Sequence, residues 1–250
     1  MSLSKNKIKY LRSLELKKNR KEEKVFLAEG PKLIEELQEN FHCLFLAATK
    51  EWLHSHAIQA DEIVEVTQEE LTKASLLKTP QQVLAVFKQP EYTIDKESIR
   101  NSLSLVLDDI QDPGNLGTII RLADWFGIEH IFCSLNTTDV YNPKSIQATM
   151  GGIARVKMHY LPLKEFIQSL GDIPVYGTFL NGKNMYTESL SNNGLIIMGN
   201  EGNGISKDLE EIVTNKLYIP NYPPEKPSTE SLNVATATAI VCAEFRRREY

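Results

Sequence analysis

Three segments of the chain share one pattern, in which an apolar stretch of strand length leads into a loop rich in Gly, Asn, Pro or Ser. The segments are DPGNLGTIIRLADWFG at 112–127, IMGNEGNGIS at 197–206, and the run from Ile219-Pro220 to SLNVATATAI at 231–240. In α/β sheets, ligands bind in the crevice at the carboxyl ends of parallel strands. The pattern therefore predicts a ligand site at such an edge, built from amide, hydroxyl, carboxylate and guanidinium groups.

The first segment offers an amide and a guanidinium on one helix. Asn115 follows a tight Asp-Pro-Gly turn, and Arg121 lies six residues later. Asn115 can cap the helix, and a helical arginine can be a solvated charge. Both alternatives stay open at this point.

The second segment has glycines at 199, 202 and 204, which let the backbone approach a ligand closely. It matches neither the P-loop nor the dinucleotide fingerprint. Glu201 at its centre would repel a phosphate, so the segment favours a cationic or hydroxyl-bearing ligand. The alternative is an ordinary strand-to-helix turn in which Ser206 caps the next helix.

The third segment begins a long helix with very small side chains. Ser231 can be the N-cap of that helix, and residues 235–239 alternate alanine and threonine. Little side-chain bulk indicates that something packs closely there. Close helix–sheet packing is an equal alternative to a ligand.

The elements around these segments predict two α/β domains. Beyond residue 103, apolar strands alternate with helical patterns, which indicates a parallel sheet covered on both faces. The first hundred residues read as a smaller unit of strands and helices, in which Thr67 and Glu70 form a capping-box pattern. The polar stretch after Pro90 predicts a domain at 1–95, a linker at 96–102 and a second domain at 103–250.

The net charge of −5 argues against a protein that coats nucleic acid through bulk charge. Residues 1–24, however, contain nine basic and three acidic side chains, a net +6, so the remaining 226 residues total −11. A local basic segment can attract a polyanion to one place. A solvated helix with lysines on its wet face is the alternative, and the same pair of interpretations applies to Arg246, Arg247 and Arg248.

The composition and the spacing of cysteines and histidines also indicate the cellular location of the protein and whether it binds a metal. No apolar run approaches the roughly 20 residues that span a bilayer, and the charged N-terminus does not resemble a secretion signal. Three widely spaced cysteines with apolar neighbours indicate reduced core thiols, so we expect a cytoplasmic protein without membrane contact. The five histidines form no cluster of ligand spacing, and no metal is expected.

Taken together and in this order, the three segments resemble the signature motifs of the SpoU/TrmH family. These are RNA ribose 2′-O-methyltransferases of the SPOUT superfamily. The resemblance covers about residues 103–250, and FLAEGPKLIEEL with TPQQVLAVF resembles the small α/β RNA-binding domain often fused in front. It implies S-adenosylmethionine as cofactor, a parallel-sheet domain with a trefoil knot, and a homodimer with its active site near the subunit interface.

The resemblance also implies roles for individual positions. Asn115 and Arg121 match the functional pair of the first motif, Glu201 the acidic residue of the second, and Ser231 with Asn233 the polar pair of the third. The positions that match cofactor contacts are Thr178, Leu180, Gly199, Asn200, Gly202, Ile219, Pro220 and Leu232. One departure is the loop at 221–230, which is longer than usual, has three prolines and lacks a glycine.

Methyl transfer to a ribose requires the 2′-oxygen in line with the methyl–sulfur bond, and the weakly acidic hydroxyl needs help to lose its proton. A guanidinium has a pKa above about 12 and is a poor base. We therefore expect Arg121 to bind the phosphate beside the target ribose and to lower the pKa of the hydroxyl. Asn115 would orient Arg121 or the ribose, Ser231 and Asn233 would hold substrate or cofactor, and Glu201 would fix the loops by accepting backbone N–H bonds.

Three functions remain in view. The first is methylation of structured RNA, with ribosomal RNA favoured over transfer RNA and the basic segment as the contact. The second is an RNA-binding or assembly protein that keeps the fold without activity, against which the intact motif residues argue. The third is a generic nucleotide-binding α/β enzyme, which would need a phosphate loop that the sequence lacks.

Overall fold

The computed structural model describes residues 3–223 and 231–249, so most of the predicted proline-rich loop lies outside the described residues. Two compact units are present. The first comprises Met1–Glu91 with Asp139–Arg155, and the second comprises Tyr92–Thr138 with Val156–Tyr250.

The first unit is built on a four-stranded mixed sheet. Its elements up to residue 91 are α1 (Lys5–Ser13), α2 (Lys17–Glu23), β1 (Val25–Glu29), α3 (Pro31–Leu37), β2 (Cys43–Ala48), α4 (Lys50–Ser55), β3 (Glu62–Glu65), α5 (Gln68–Ala74) and β4 (Val83–Lys88). The strand order is β1-β4-β2-β3, in which β4 runs antiparallel to both neighbours and β2 pairs in parallel with β3. The predicted capping box of Thr67 and Glu70 begins α5 and is confirmed.

The second unit contains a six-stranded sheet. The chain continues through α6 (Lys96–Arg100), β5 (Leu103–Leu107), α7 (Pro113–Trp125), β6 (His130–Cys133), α8 (Pro143–Thr149), β7 (Lys157–Tyr160), α9 (Leu163–Ser169), β8 (Val175–Asn184), β9 (Gly194–Met198), α10 (Lys207–Glu210), β10 (Asn215–Tyr218) and α11 (Val234–Arg247). The strand order is β10-β8-β9-β5-β6-β7, and every described pair is parallel. The predicted α/β fold with a parallel sheet is confirmed.

Burial explains why the central strands are continuous apolar runs. Every residue of β5 and of β9 is buried, as expected for strands whose two faces are both covered by helices. On one face, Val106, Phe132 and Ile197 pack against α9 and α10. This rigid centre holds the carboxyl ends of β5 and β9 side by side.

The segment Asp139–Arg155, which contains α8, packs within the first unit rather than with its sequence neighbours. Arg20 on α2 is 2% exposed, and its guanidinium Nη2 lies 2.6 Å from a carboxylate oxygen of Asp139. Gln147 donates to the backbone oxygen of Glu29 at 2.7 Å, and the ring of Tyr141 stacks on Phe26. The carboxylate of Asp139 compensates the buried guanidinium, and these contacts together attach the segment to the first unit.

The unit division differs in two respects from the predicted 1–95, 96–102 and 103–250. The segment 139–155 belongs to the first unit, and the second unit already begins at Tyr92. The predicted linker contains helix α6, which Asp95 caps through Glu97 and Ser98 and whose Ile99 is buried. A polar sequence can form a short helix when one apolar residue packs into a core, and the composition alone did not show this.

Candidate active site

Helix α7 is capped by Asp112, which rules out the alternative in which Asn115 is only the cap of this helix. The Asp112 carboxylate accepts a hydrogen bond from the backbone N–H of Asn115 at 2.7 Å. Pro113 follows at the first helical position, where its missing N–H costs nothing. The Asn115 side chain is thereby left available for other contacts.

At helix α11, too, the cap is not the residue that the sequence offered as a cap. Asn233 is the N-cap, and its side-chain oxygen accepts from the N–H groups of Ala235 and Thr236 at 3.0 and 3.2 Å. The alternative in which Ser231 is only the cap of this helix is therefore ruled out, because the helix begins two residues later than that cap requires. Ser231 is an exposed residue.

Three of the predicted site residues meet through their side chains. The amide nitrogen of Asn115 donates to a carboxylate oxygen of Glu201 at 2.9 Å, and the amide nitrogen of Asn233 donates to the side-chain oxygen of Asn115 at 3.0 Å. These two hydrogen bonds link Asn115, Glu201 and Asn233, one residue from each of the three motifs that the sequence singled out. In the described contacts Glu201 accepts from the Asn115 side chain, rather than from the backbone N–H groups that the sequence led us to expect.

A cavity of about 450 Å³ lies beside these hydrogen-bonded side chains, at the carboxyl ends of β8, β9 and β10. It is lined by seven of the eight predicted cofactor contacts, namely Thr178, Leu180, Gly199, Asn200, Gly202, Ile219 and Leu232. Pro220 is not among the described lining residues. Phe179, Met198 and Tyr218 also line the cavity, and the sequence missed them although each lies next to a residue singled out or at a strand end.

Thr178 and Leu180 form one wall of this cavity, and they lie at an irregularity in the pairing of β8. On the neighbouring strand β10, Lys216 pairs with Gly177 and the next residue, Leu217, pairs with Lys183, so residues 178–182 bulge out of the ladder. A Cβ atom at Gly182 would lie 2.5 Å from the backbone carbonyl of Leu217. Gly182 therefore closes the bulge, and it is a site-shaping residue that the sequence analysis did not identify.

The cavity is suited to S-adenosylmethionine in shape and charge. Leu180, Leu232 and Met198 supply apolar surface for a flat base, and the glycines of residues 199–204 bring backbone groups close. Glu201 is the one charged side chain among the described lining residues, and its carboxylate complements a sulfonium cation. At Gly199 a Cβ atom would lie 2.3 Å from the backbone of Gly204, so no larger residue fits there.

Arg121 is not part of this cluster within one chain. It lies on α7 six residues after Asn115, about 240° further around the helix, and it is exposed. No contact between Arg121 and Asn115 is present in the described residues. Of the two partners predicted for Asn115, Arg121 or the ribose, the geometry within one chain favours the ribose. The exposed face that Arg121 shares with Thr118 also includes Trp125, which is 82% exposed.

The basic segment at 5–24 is divided between structural and exposed side chains. Arg20 is buried, Arg12 donates to backbone oxygens of Lys73 and Ser75, and Lys7 and Lys24 pair with Glu62 and Glu91. The remaining five, Lys5, Lys9, Lys17, Lys18 and Lys21, are exposed.

The arginines at the C-terminus also have structural contacts. Arg246 donates to the backbone oxygens of Phe126 and Gly127, and Arg248 donates to that of Met185 at 2.8 Å. Arg247 pairs with Glu244. The idea of a free basic patch here is therefore wrong for Arg246 and Arg248.

A second hollow, of about 850 Å³, lies on the first unit. Its charged lining residues are Lys50, Glu51, Glu65, Glu69, Glu70 and Lys73, with acidic groups in excess. It contains none of the motif residues, so it is not a candidate for the reaction site.

Two absences apply to the parts of the chain that the structure describes. No helix in residues 3–223 or 231–249 combines the length and the apolar character of a membrane span. Within those same ranges, no three His, Cys, Asp or Glu side chains are grouped so that they could hold a metal ion.

The model of the SpoU rRNA methylase family matches residues 102–243, which include all three motifs and the Asn115–Glu201–Asn233 cluster. The chain belongs to the SpoU rRNA methylase family. A second family model, the MRM3-like substrate-binding domain, matches residues 5–85.

Individual SpoU relatives match over nearly the whole length of the chain. The 23S rRNA (guanosine(2553)-2′-O)-methyltransferase RlmP of Bacillus subtilis (strain 168) is 31% identical, with 98% of each chain covered. An RNA methyltransferase of the TrmH family from Porphyromonas gingivalis has a TM-score of 0.87 and 41% identity, over 98% of this chain and 99% of that one. The S-adenosylmethionine-bound rRNA methyltransferase from Sinorhizobium meliloti has a TM-score of 0.85 and 28% identity, over 100% and 98%.

Membership of the SpoU family confirms the predicted reaction class. The protein is an RNA 2′-O-methyltransferase, and its cofactor is S-adenosylmethionine. The three motifs were therefore correctly interpreted as signatures of this family.

Proposed function

We propose that the protein methylates a ribose 2′-hydroxyl of 23S ribosomal RNA, with the cavity at 199–204 holding S-adenosylmethionine. The observation that supports this most strongly is the Asn115 side chain, fixed between Glu201 and Asn233 beside that cavity. The RlmP relative acts on 23S rRNA by name.

The cofactor supplies an electrophilic methyl group on a sulfonium. Leu180, Leu232 and Ile219, which line the cavity, would hold its base and exclude water, while the Glu201 carboxylate would face its cationic region. Asn115 and Asn233 each retain a further amide hydrogen, which can hold the ribose beside the cavity. Ser231 supplies a hydroxyl at the same edge, so the chain's own polar groups position the 2′-oxygen in line with the methyl carbon.

Arg121 binds the phosphate next to the target ribose and stabilises the negative charge that develops on the 2′-oxygen. Its guanidinium stays cationic at neutral pH, so it acts as an anchor rather than as a base. Because Arg121 is exposed and points away from Asn115 of the same chain, we propose that a homodimer completes the site. The exposed Trp125 on the same helix fits a subunit interface.

A trefoil knot is also part of the proposal. Strand β10 is at one edge of the sheet, whereas α11 packs on α7, which follows the more central β5. The described ends of this connection thus lie at the edge of the sheet and over its centre, as a knotted return requires. An experimental trace of residues 218–234 that returns without threading a loop would contradict the knot.

We assign RNA recognition to the first 95 residues and catalysis to residues 103–250, in line with the two family models. The exposed lysines of α1 and α2 form the RNA contact. The action on ribosomal RNA, together with three buried, unpaired cysteines, supports a cytoplasmic location.

The test uses purified protein, methyl-labelled S-adenosylmethionine, and deproteinised RNA from cells that lack the protein. We expect one ribose in 23S rRNA to become resistant to alkaline cleavage, and Arg121→Ala to abolish the transfer. Equal activity of Arg121→Lys would show that charge alone suffices. Full turnover by Arg121→Ala would contradict the phosphate-anchor role.

Two outcomes would replace the proposal. Transfer to tRNA but not to rRNA would make the protein a tRNA enzyme. Binding of RNA without any transfer, in protein that shows no binding of S-adenosylmethionine, would favour a non-catalytic assembly role.

A further inference from the structure

The loop that presents Glu201 is shaped by one side chain, that of Asn200. The backbones of Asn200 and Gly204 exchange two hydrogen bonds, at 3.0 and 2.9 Å. The side-chain oxygen of Asn200 accepts from the N–H groups of Gly202 and Asn203 at 2.9 and 3.0 Å. Glu201 therefore lies in a tight turn whose backbone has little freedom.

The same side chain anchors this turn to the end of β5. Its amide nitrogen donates to the backbone oxygen of Asp109 at 2.7 Å. Oxygen and nitrogen of the Asn200 amide thus both have partners inside the protein. The side chain that lines the cavity is therefore also part of the framework that carries Glu201.

Asp109 has an unusual backbone conformation that suits this anchor. Its φ is +58°, in the left-handed region that residues other than glycine rarely adopt. The N–H of Asp109 donates to the hydroxyl of Ser134 at 2.9 Å, which itself lies 3.0 Å from the Thr137 hydroxyl. The strained backbone of Asp109 and the hydrogen bond from its N–H to Ser134 fix the position of its carbonyl group. The Asn200 amide is bound to that carbonyl.

The far end of the loop is attached to the neighbouring residue. The carboxylate of Asp108 accepts from the N–H of Ser206 at 2.7 Å, and the N–H of Asp108 donates to the backbone oxygen of Met198. Both ends of the loop are thus held by the two residues that follow β5. Glu201 lies between these attachments and reaches Asn115.

We propose that Asn200 is a positioning residue for the methyl transfer, which holds Glu201 against Asn115 through its bond to the Asp109 carbonyl. The inference rests on the proposed function, since it assumes that Glu201 and Asn115 serve the reaction. Asn200 touches neither ribose nor methyl group, so its effect passes through Glu201.

Two substitutions at Asn200 separate its hydrogen bond to Asp109 from its hydrogen bonds to Gly202 and Asn203. Asn200→Asp keeps the oxygen that accepts from Gly202 and Asn203 but loses the donor to Asp109, whereas Asn200→Ala loses both. If the Asp109 bond positions Glu201, both variants lower kcat by about 20-fold, because a small misplacement of a reacting group is costly. The KM for RNA stays within about twofold, since the RNA-binding groups are untouched. Asn136→Ala, an exposed asparagine in the loop after β6, is the matched control and leaves both constants unchanged.

A double-mutant cycle decides whether Asn200 acts through Glu201. If Glu201→Ala lowers kcat by about 100-fold, the double variant Asn200→Ala/Glu201→Ala falls by about the same factor, because the positioned group is already gone. The product of the two single effects, about 2,000-fold, would overturn the proposal, as would a wild-type kcat in Asn200→Asp. Melting temperature and S-adenosylmethionine affinity, measured on every variant, show that the loss is not one of folding.

The failure of this inference is distinguishable from failure of the proposed function. If the wild-type protein methylates rRNA and Asn200→Asp does so equally well, only the positioning role is lost. If the wild-type protein transfers no methyl group to RNA, the proposed function fails first.

Discussion

The sequence predicted the arrangement of the Asn115–Glu201–Asn233 cluster better than that of the basic N-terminal segment. Asn115, Glu201 and Asn233 are up to 118 residues apart, yet their side chains form one hydrogen-bonded chain. The basic residues of 5–24 are adjacent in sequence, yet Arg20 is buried in an ion pair while Lys17 and Lys18 face solvent. Motif order therefore predicted proximity well, whereas a count of charges did not predict a surface.

The physical reason is that the two features depend on different interactions. The motif residues follow the ends of neighbouring parallel strands, so the sheet itself brings them together. The role of each basic residue depends on which acidic group or backbone oxygen the folded chain places nearby. Asp139, which decides the role of Arg20, lies 119 residues further along the chain.

The largest expected effect is a loss of folding stability, which tests whether buried Arg20 stabilises the first unit through its ion pair with Asp139. Asp139→Ala leaves the buried guanidinium without its carboxylate, and we expect about 3 kcal/mol less stability in the first unit. Trp52 is buried in that unit, so its fluorescence in a Trp125→Phe background reports unfolding in urea.

Glu91→Ala, which breaks the exposed pair with Lys24, is the control and should change nothing measurable. A loss below about 1 kcal/mol in Asp139→Ala would show that the backbone oxygens of Leu14 and Glu15 suffice for Arg20.

The next effect concerns the catalytic cluster. Glu201→Ala removes the acceptor that holds Asn115, and kcat should fall by about 100-fold, as for loss of one preorganised group at a reaction centre. Glu201→Gln retains an acceptor oxygen and should lose about tenfold, the part that depends on charge. Single-turnover methylation of rRNA measures both, and equal rates in the two variants would contradict a role for the hydrogen bond.

A smaller effect tests the exposed lysines. Replacing Lys17, Lys18 and Lys21 by glutamine should weaken RNA binding by about tenfold at 0.15 M salt and reduce the salt slope by about two, because fewer counterions are released. The control is the triple replacement of Lys7, Lys24 and Lys73, each paired with a carboxylate, which should change neither quantity.

These substitutions are a better test than deletion of residues 1–24. The deleted segment would include Leu11, Leu14 and Arg20, which are buried. An unchanged affinity in the Lys17, Lys18 and Lys21 variant would make α2 a solvated helix without a role in binding.

The smallest effect is a pH dependence in the second unit. His130 and His159 are buried and lie 3.0 Å apart through ring nitrogens. Burial lowers the pKa of His130, and burial together with His130 and Lys157 lowers the pKa of His159 to about 4. Glu129 and Asp95 oppose the shift of His130.

Because the folded state holds these rings neutral, their contribution to stability is complete above pH 6.5 and is lost as the pH falls toward 4. His159→Gln should therefore melt with a shallower loss between these values than the wild type. His54→Gln, at an exposed position, serves as the control. Identical pH profiles for the wild type and His159→Gln would contradict the assignment.

The sequence predicted the parallel sheet because β5 and β9 are unbroken apolar runs between loops. Through the motifs it predicted which distant segments come together, but it left capping by Asn115 and by Ser231 open, whereas the caps are Asp112 rather than Asn115 and Asn233 rather than Ser231. Both members of each pair are good caps, and a shift of two or three residues in where a helix begins decides between them.

Features that depend on packing were beyond the sequence. The bulge closed by Gly182 arises from a register change against β10, and nothing in the local pattern of β8 shows it. The transfer of residues 139–155 to the first unit depends on Arg20 being buried. The framework role of Asn200 required knowledge that the Asp109 carbonyl faces it.

The most direct test of the central claim compares ribose methylation of 23S rRNA in cells that contain the wild-type protein, Glu201→Ala, or no protein. We expect one 2′-O-methylated nucleotide that is present with the wild type, nearly absent with Glu201→Ala, and absent without the protein. Full methylation of that nucleotide by Glu201→Ala, or identical methylation maps with and without the protein, would contradict it.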